Sequence, residues 1–410
     1  MKYVIIGNSA AAVGCIEGIR SVDKAGSITV VSNEPHHVYS RPLISYLIYG
    51  KTSEQRMKYR PDDFYEKNDV TTLLGVTVTK VDYESRNILL DNGNSVGFDK
   101  LLFATGSSPF VPPMQGLEEV PQKFTFMKLD DAQALRSAIN PESRVLIIGA
   151  GLIGLKCAEG ILSKVKEITV VDMAQRILPS ILDETGSQMM QEHIEKQGVK
   201  FILGNSVARF HADTAELKNG GTLGFDILVL AVGVRPNTKL AAGIGCKVNK
   251  GILSDDHCAT NLPDVYAAGD CSESLDITDD NWRVLALWPN AYMQGETAGI
   301  CMAGGQKAYN KAIPMNAIGF FGLHIITAGS YSGEPYITAT DSTYKKLITD
   351  NNVLKGYILI GEVARAGIYT SLIREKTPLN TVDFELIKER PQLMAFAAKE
   401  RAVKLGGAKA

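Results

Sequence analysis

Residues 144–154 read Arg144-Val145-Leu146-Ile147-Ile148-Gly149-Ala150-Gly151-Leu152-Ile153-Gly154, an apolar run followed by three glycines spaced G-x-G-x-x-G. In such a turn the first glycine permits the tight strand-to-helix reversal. The second lets the backbone approach a pyrophosphate, and the third lets the helix lie close on the strand. The helix N-terminus then faces the phosphates with unsatisfied N–H groups and a favourable dipole. Asp172 closes the next apolar run, 18 residues after Gly154. A carboxylate there can bond a ribose 2′-hydroxyl and would repel a 2′-phosphate. The stretch therefore predicts a dinucleotide site on Gly149, Gly151, Gly154 and Asp172 that prefers NADH to NADPH. Arg176, four residues further on, is the cation that would favour NADPH instead.

The same pattern stands earlier in weaker form. The strand-like run Tyr3-Val4-Ile5-Ile6 leads into Gly7-Asn8-Ser9-Ala10-Ala11-Ala12, where Ser9 and Ala12 replace the second and third glycines. Both replacements are small enough for close approach, and Glu34 follows the run 28–31 as Asp172 follows 167–171. Strand, turn and helix thus occur twice, at 3–20 and 144–162. The alternation of apolar β-branched runs with helical patterns is the rhythm of parallel βαβ units, so the predicted fold class is α/β with two Rossmann-like domains.

Pro109, Pro112 and Pro113 mark an exit from the first domain, and the run 227–232 with the turn Gly233-Val234-Arg235-Pro236 closes the second. Residues 265–270 are expected to rejoin the first. From Ile313 the texture changes to short strand-like runs at 319–328, 346–349 and 353–360, a C-terminal α+β domain. The expected boundaries are 1–110 with 239–312, 111–238, and 313–410. The segment from Phe384 to Ala410 reads as a helix with a frayed tail, either solvated or docked.

Composition narrows the function. A formal charge of −2 offers no basic face for nucleic acid. No apolar run is long enough to span a bilayer, and the Met1-Lys2 start shows no export signal, so a cytoplasmic protein without membrane insertion is expected. The six cysteines are scattered without metal-ligand spacing, and no metal is expected.

In the order Gly7 to Ala12, Glu34-Pro35, Tyr39-Ser40-Arg41-Pro42, Ala104-Thr105-Gly106, the Gly149 turn, 231–237, and Tyr266-Ala267-Ala268-Gly269-Asp270, the chain resembles FAD-dependent pyridine-nucleotide oxidoreductases of the rubredoxin reductase and ferredoxin reductase type. It is also similar to the N-terminal flavin part of nitrite reductase large subunits. The resemblance implies FAD held without a covalent link. Gly7, Ser9 and Ala12 would form its turn, and Glu34 would bind the adenosine ribose. Arg41 and Pro42 would line flavin and pyrophosphate, Ala104, Thr105 and Gly106 would close the site, and Gly269 and Asp270 would hold the ribityl chain. Gly233 would approach NADH. Trp288-Pro289-Asn290 precedes a helix expected over 291–303, whose positive end would stabilise charge on the reduced flavin.

An absence then separates this chain from thiol-using relatives, which carry a cysteine near position 40–46: none stands between Cys15 and Cys157. Without a thiolate, disulfide chemistry is disfavoured. Ferredoxin reductases of this kind usually pair a Lys with a Glu at positions that here hold Tyr46 and Lys156. The expectation is that Lys156 supplies the cation beside the flavin while Tyr46 covers the ring. The reading is an NADH oxidoreductase that exchanges electrons with a one-electron iron-sulfur partner. That partner is rubredoxin, ferredoxin, or an iron-sulfur subunit of a larger complex such as an aldehyde oxidoreductase, and the chain itself is a complex subunit or a homodimer. The alternatives are an NADH oxidase or nitrite-reductase-type component, and a redox-sensing NAD/FAD-binding protein.

Overall fold

The computed structural model describes residues 1–406; residues 407–410, the end of the predicted tail, lie outside the described residues. The chain divides into two compact units, one of Met1–Leu178, Glu195–Leu275 and Trp282–Asn310, the other of Pro179–Ile194, Asp276–Asn281 and the chain from Lys311 onward. Residues 179–194 and 276–281, which the sequence places with the nucleotide domains, pack with the second unit.

The first unit is built on two five-stranded parallel sheets. One runs, in spatial order, Val265–Ala267, Lys100–Phe103, Lys2–Ile6 (β1), Ser27–Ser32 (β2) and Val70–Leu74. The other runs Val199–Leu203, Glu167–Asp172 (β4), Arg144–Ile148 (β3), Ile227–Leu230 and Lys123–Thr125. Both central strands, β1 and β3, bury every residue after the first. That is why they read as continuous apolar runs rather than alternating ones: a parallel sheet is covered on both faces. In register, β1 pairs β2 from Lys2↔Ser27 to Ile6↔Val31, and β3 pairs β4 from Arg144↔Glu167 to Ile148↔Val171.

Helices Ala10–Val22 (α1), Ile44–Tyr49 (α2), Leu152–Ile161 (α3) and Trp288–Met302 (α4) matter for the site. The α4 helix starts earlier than the expected 291, because Pro289 fits the first turn, where a missing N–H costs nothing, and Trp288 is already helical. Each sheet also carries an antiparallel three-stranded meander that the sequence reading missed: Val78–Asp82 with Asn87–Leu90 and Ser95–Gly97, and Val207–Phe210 with Thr214–Leu217 and Thr222–Gly224. Their signals were Asn92-Gly93 and Asn219-Gly220, with both glycines at positive φ, as tight hairpin turns demand.

The second unit holds a five-stranded antiparallel sheet in the order Met315–Phe320, Leu323–Gly329, Val353–Ile360, Tyr344–Asp350 and Glu334–Ala339. The run 319–328, expected as one strand, is two: Phe321 at φ 50° and Gly322 at φ 90° reverse the chain between them. The helix Ala366–Arg374 covers the sheet, with Tyr357, Tyr369 and Leu372 in the core. The single helix expected from Phe384 is also corrected. Phe384–Glu389 is helical, a short 3₁₀ turn follows at Leu393–Ala395, and a last helix spans Ala398–Gly406. Pro391 cannot continue the first helix, and Phe396 and Ile387 are buried in this unit's core, so the segment up to Phe396 is docked rather than solvated.

Among the described residues no helix is long and apolar enough to cross a membrane, and no group of three or more His, Cys, Asp or Glu side chains is placed to hold a metal.

Candidate functional site

The two glycine turns form at the C-terminal ends of β1 and β3, and the backbone allows nothing but glycine at their first positions. Gly7 has φ +120°, and a Cβ there would lie 2.0 Å from the Ala104 carbonyl oxygen. Gly149 has φ +114°, with the Ala231 carbonyl 2.3 Å from where a Cβ would stand. Gly154 meets the Gly149 carbonyl at 2.0 Å, so α3 lies directly on the turn, whereas Gly151 faces open space. That combination is a cradle for a pyrophosphate: packed behind, clear in front. In the first turn Ala12 is fully buried, and Ser9, the N-cap of α1, makes no capping bond. Its half-buried hydroxyl has no hydrogen bond among the described residues, which leaves it available to a phosphate at the helix N-terminus.

The two acidic residues are held by protein donors. Asp172 accepts from the Ala150 N–H at 2.6 Å and the Ala174 N–H at 2.8 Å, which ties its carboxylate to the fingerprint turn itself. Glu34 is buried and accepts from the Tyr39 hydroxyl at 2.6 Å and from the Arg41 guanidinium. Burial raises the Tyr39 pKa, with the Glu34 carboxylate adding to it against Arg41. Burial works against the Arg41 charge, yet Tyr39 and Glu34 outweigh it, and its pKa ends above the ordinary value. Tyr39 also accepts from the Leu129 N–H at 2.9 Å. Its place two residues before Arg41 stands in the sequence, whereas its role as the clamp on Glu34 arises only in the folded chain.

Three distant motifs meet beside β1. Thr105 donates its hydroxyl to the Asn237 carbonyl at 2.7 Å, and Asn237 returns its amide to the Thr105 carbonyl at 2.9 Å. The strand Val234–Pro236 pairs antiparallel with Ser107–Pro109, making a two-stranded ribbon of the chain's two crossings. Ser107 donates to Asp270 at 3.3 Å, the one hydrogen bond of that carboxylate among the described residues. Burial pushes the Asp270 carboxyl up, opposed by Ser107 and the nearby Arg41. A carboxylate so desolvated and so poorly bonded has the lone pairs that a polyhydroxyl chain would satisfy. Gly106 and Gly233 both have positive φ and open space where a side chain would be. The residues present fit two dinucleotides: a phosphate cradle and a ribose carboxylate on each sheet, and a free acceptor at Asp270.

Trp288 lies at the start of α4, with its ring edge-on to Tyr59 at a centroid distance of 5.1 Å, and packs on the first sheet's core. Lys156 and Tyr46 are brought together. The ammonium of Lys156 stands 4.5 Å from the centre of the Tyr46 ring and pairs with Glu159. All six cysteines are free, and five are buried. Burial raises the Cys15, Cys157 and Cys271 thiols, which suits packing rather than thiolate chemistry.

Residues 1–295 match the family model described as pyridine nucleotide-disulphide oxidoreductase. The chain belongs to that family. The epsilon subunit of the NADH-dependent phenylglyoxylate dehydrogenase of Aromatoleum evansii is 33% identical over 391 residues, 92% of each chain. The assimilatory nitrate reductase electron transfer subunit of Bacillus subtilis is 29% identical over 92% of this chain, which spans 49% of that relative. Putidaredoxin reductase, solved in covalent complex with putidaredoxin, superposes with a TM-score of 0.87 at 22% identity over 95% of this chain and 96% of that one. This pyridine nucleotide-disulphide oxidoreductase is thus an FAD-dependent NAD(P)H enzyme by family.

Proposed function

We propose that the chain is an NADH oxidoreductase that exchanges electrons with a one-electron iron-sulfur partner, and that it does so without a redox-active cysteine. The observation that carries the reading is the pairing of Lys156 with Tyr46, a cation on an aromatic ring, while no thiol stands between Cys15 and Cys157. In this reading FAD lies on the first sheet and NADH on the second, with domains 1–110 plus 239–312, 111–238 and 313–410.

Bound FAD would supply the conversion between a two-electron donor and one-electron acceptors. The chain's own residues bind and orient. Gly7, Ser9, Ala12 and the N-terminus of α1 take the pyrophosphate of FAD, and Glu34, clamped by Tyr39 and Arg41, takes its adenosine ribose. Arg41 and Pro42 would line the flavin, Ala104, Thr105 and Gly106 would close the site, and Asp270, following the positive-φ Gly269, would accept from the ribityl hydroxyls. Trp288 opens α4, and the positive end of that helix dipole would stabilise negative charge on a reduced flavin. On the other sheet Gly149, Gly151 and Gly154 take the pyrophosphate of NADH, Asp172 its ribose, and Gly233 gives backbone access. Lys156 holds a positive charge over Tyr46, and Tyr46 shields that face from water.

The match to the epsilon subunit over 92% of both chains favours a place as one subunit of a larger redox complex. A second reading, an NADH oxidase, draws on a Methanocaldococcus jannaschii protein of that name, 31% identical over 75% of this chain. The test is to reduce the FAD-loaded protein anaerobically with NADH, then mix it with rubredoxin, ferredoxin or oxygen. Rapid reoxidation by an iron-sulfur protein with slow oxygen consumption is expected. Fast oxygen consumption with no response to any carrier would support the oxidase, and slow reoxidation by everything would support a sensor.

A further inference from the structure

Lys156 and Glu159 lie one turn apart on α3 and form an ion pair, with side chains only 12% and 11% exposed. Exposed pairs at this spacing contribute little. A pair this enclosed is different, because removing one partner leaves an uncompensated charge in a poorly solvated place. The next residue, Gly160, is buried, and a Cβ there would lie 2.9 Å from the Ser45 carbonyl oxygen and 3.5 Å from its Cα. That glycine lets α2 settle directly on α3. As a result Tyr46, the neighbour of Ser45, reaches the Lys156 ammonium at 4.5 Å. Glu159 therefore holds the cation, and the close helix contact sets the Tyr46 ring against it.

We propose that Glu159 and Gly160 are positioning residues for Lys156: the carboxylate aims the ammonium and balances its charge, and the glycine brings the Tyr46 ring beneath it. The inference rests on the reading above that Lys156 serves the flavin. If it holds, the pair is a charge-balanced device in which each partner pulls the flavin potential in the opposite sense. Glu159→Gln leaves a net positive charge near the flavin and raises its midpoint potential. Lys156→Met leaves a net negative charge and lowers it. The double variant Lys156→Met with Glu159→Gln is neutral again and returns close to the parent value.

The midpoint potential is measured by anaerobic spectroelectrochemical titration of FAD-loaded protein with no NADH present. Failure of NADH to reduce the parent protein would therefore strike the functional reading and not this one. Opposite shifts in the two single variants, restored in the double, are expected. Glu159→Asp should keep the sign of the parent pair, and Gly160→Ala should slow flavin reduction by NADH by roughly tenfold at unchanged FAD content. If Lys156→Met is too unstable to load FAD, Lys156→Gln serves in its place, because the amide retains bonding to Glu159. Shifts in the same direction, or no shift in a folded and FAD-loaded variant, would overturn the proposal, since a purely structural ion pair lowers stability without moving the potential in two senses.

Discussion

The two parallel sheets are near copies that treat their nucleotides differently. Gly7 donates its N–H to the Val31 carbonyl and Gly149 to the Val171 carbonyl, both at 2.8 Å. Ala104 and Ala231 close back on Ile6 and Ile148 at 2.9 and 2.8 Å. Even the starts of the central strands agree: the Lys2 N–H donates to Asp99 and the Arg144 N–H to Asp226, each at 2.7 Å. The difference lies in where close packing is used. On the second sheet the third glycine brings α3 onto its own turn. On the first sheet Ala12 stands at that position, and the close approach is made between helices instead. Gly295 and Gly299 of α4 would place a Cβ 2.0 and 2.2 Å from the Ala11 and Cys15 carbonyls, and Gly14 meets Tyr292 at 2.2 Å. The second site is specified locally and the first by a distant helix. One should therefore be separable from the rest of the fold and the other not.

The largest effect that could break this comparison comes from the paired substitutions Gly7→Ala and Gly149→Ala. Both force a side chain into a positive-φ turn and onto a carbonyl. Gly149→Ala should keep FAD yet lose flavin reduction by NADH by about a hundredfold or more, given the sensitivity of such steps to a misplacement of about 1 Å. Gly7→Ala should emerge without FAD. Flavin absorbance per protein and stopped-flow reduction decide, and equal FAD loss in both would end the claim of separable sites. Next in size, Gly295→Ala should destabilise by about 2 kcal/mol through overpacking on Ala11. FAD retention should fall with the melting temperature while NADH affinity holds.

Asp172→Ala should raise the NADH KM by roughly tenfold, the value of one lost charge-assisted bond, and leave the NADPH KM unchanged or lower. The smallest effect, and a control outside both sheets, is Asp183→Asn in the second unit. Asp183 accepts from Tyr344 at 2.7 Å and Lys346 at 2.8 Å. Burial acts to raise its pKa, but the bonds to Lys346 and Tyr344 outweigh it and hold the carboxyl below the ordinary range. A depressed carboxylate contributes stability above its ordinary pKa and loses it as pH falls. Asp183→Asn should thus cost about 1–2 kcal/mol near neutral pH. The gap to the parent should close below about pH 4, with both nucleotide sites intact. Thermal melts across pH read it out.

This comparison also explains what the sequence could tell. The Gly149 turn was legible because its constraints are backbone constraints within one strand, turn and helix. The Gly7 turn was legible only through small replacements and distant motifs, since its tightness is shared with Gly295 and Gly299 almost 300 residues away. Lys156 and Tyr46 were singled out as changed together, and they do meet. Tyr39 and Asn237 stand within motifs the sequence shows, but their roles, like those of Ser107 and Glu159, were not legible, because each arises only when separate strands or a helix face converge on a partner. The hairpin at Phe321-Gly322 was missed for a simpler reason: Gly-Phe-Phe-Gly continues an apolar run, and the turn lies in backbone angles that apolarity hides.

The central claim, NADH on the second sheet and FAD on the first, is tested most directly by anaerobic stopped-flow mixing of FAD-loaded protein with NADH or with NADPH. The account predicts that NADH bleaches the flavin band with a rate that saturates in NADH, and that NADPH does so far more slowly. Bleaching by NADPH but not by NADH would contradict the role of Asp172, and bleaching by neither would contradict the account as a whole.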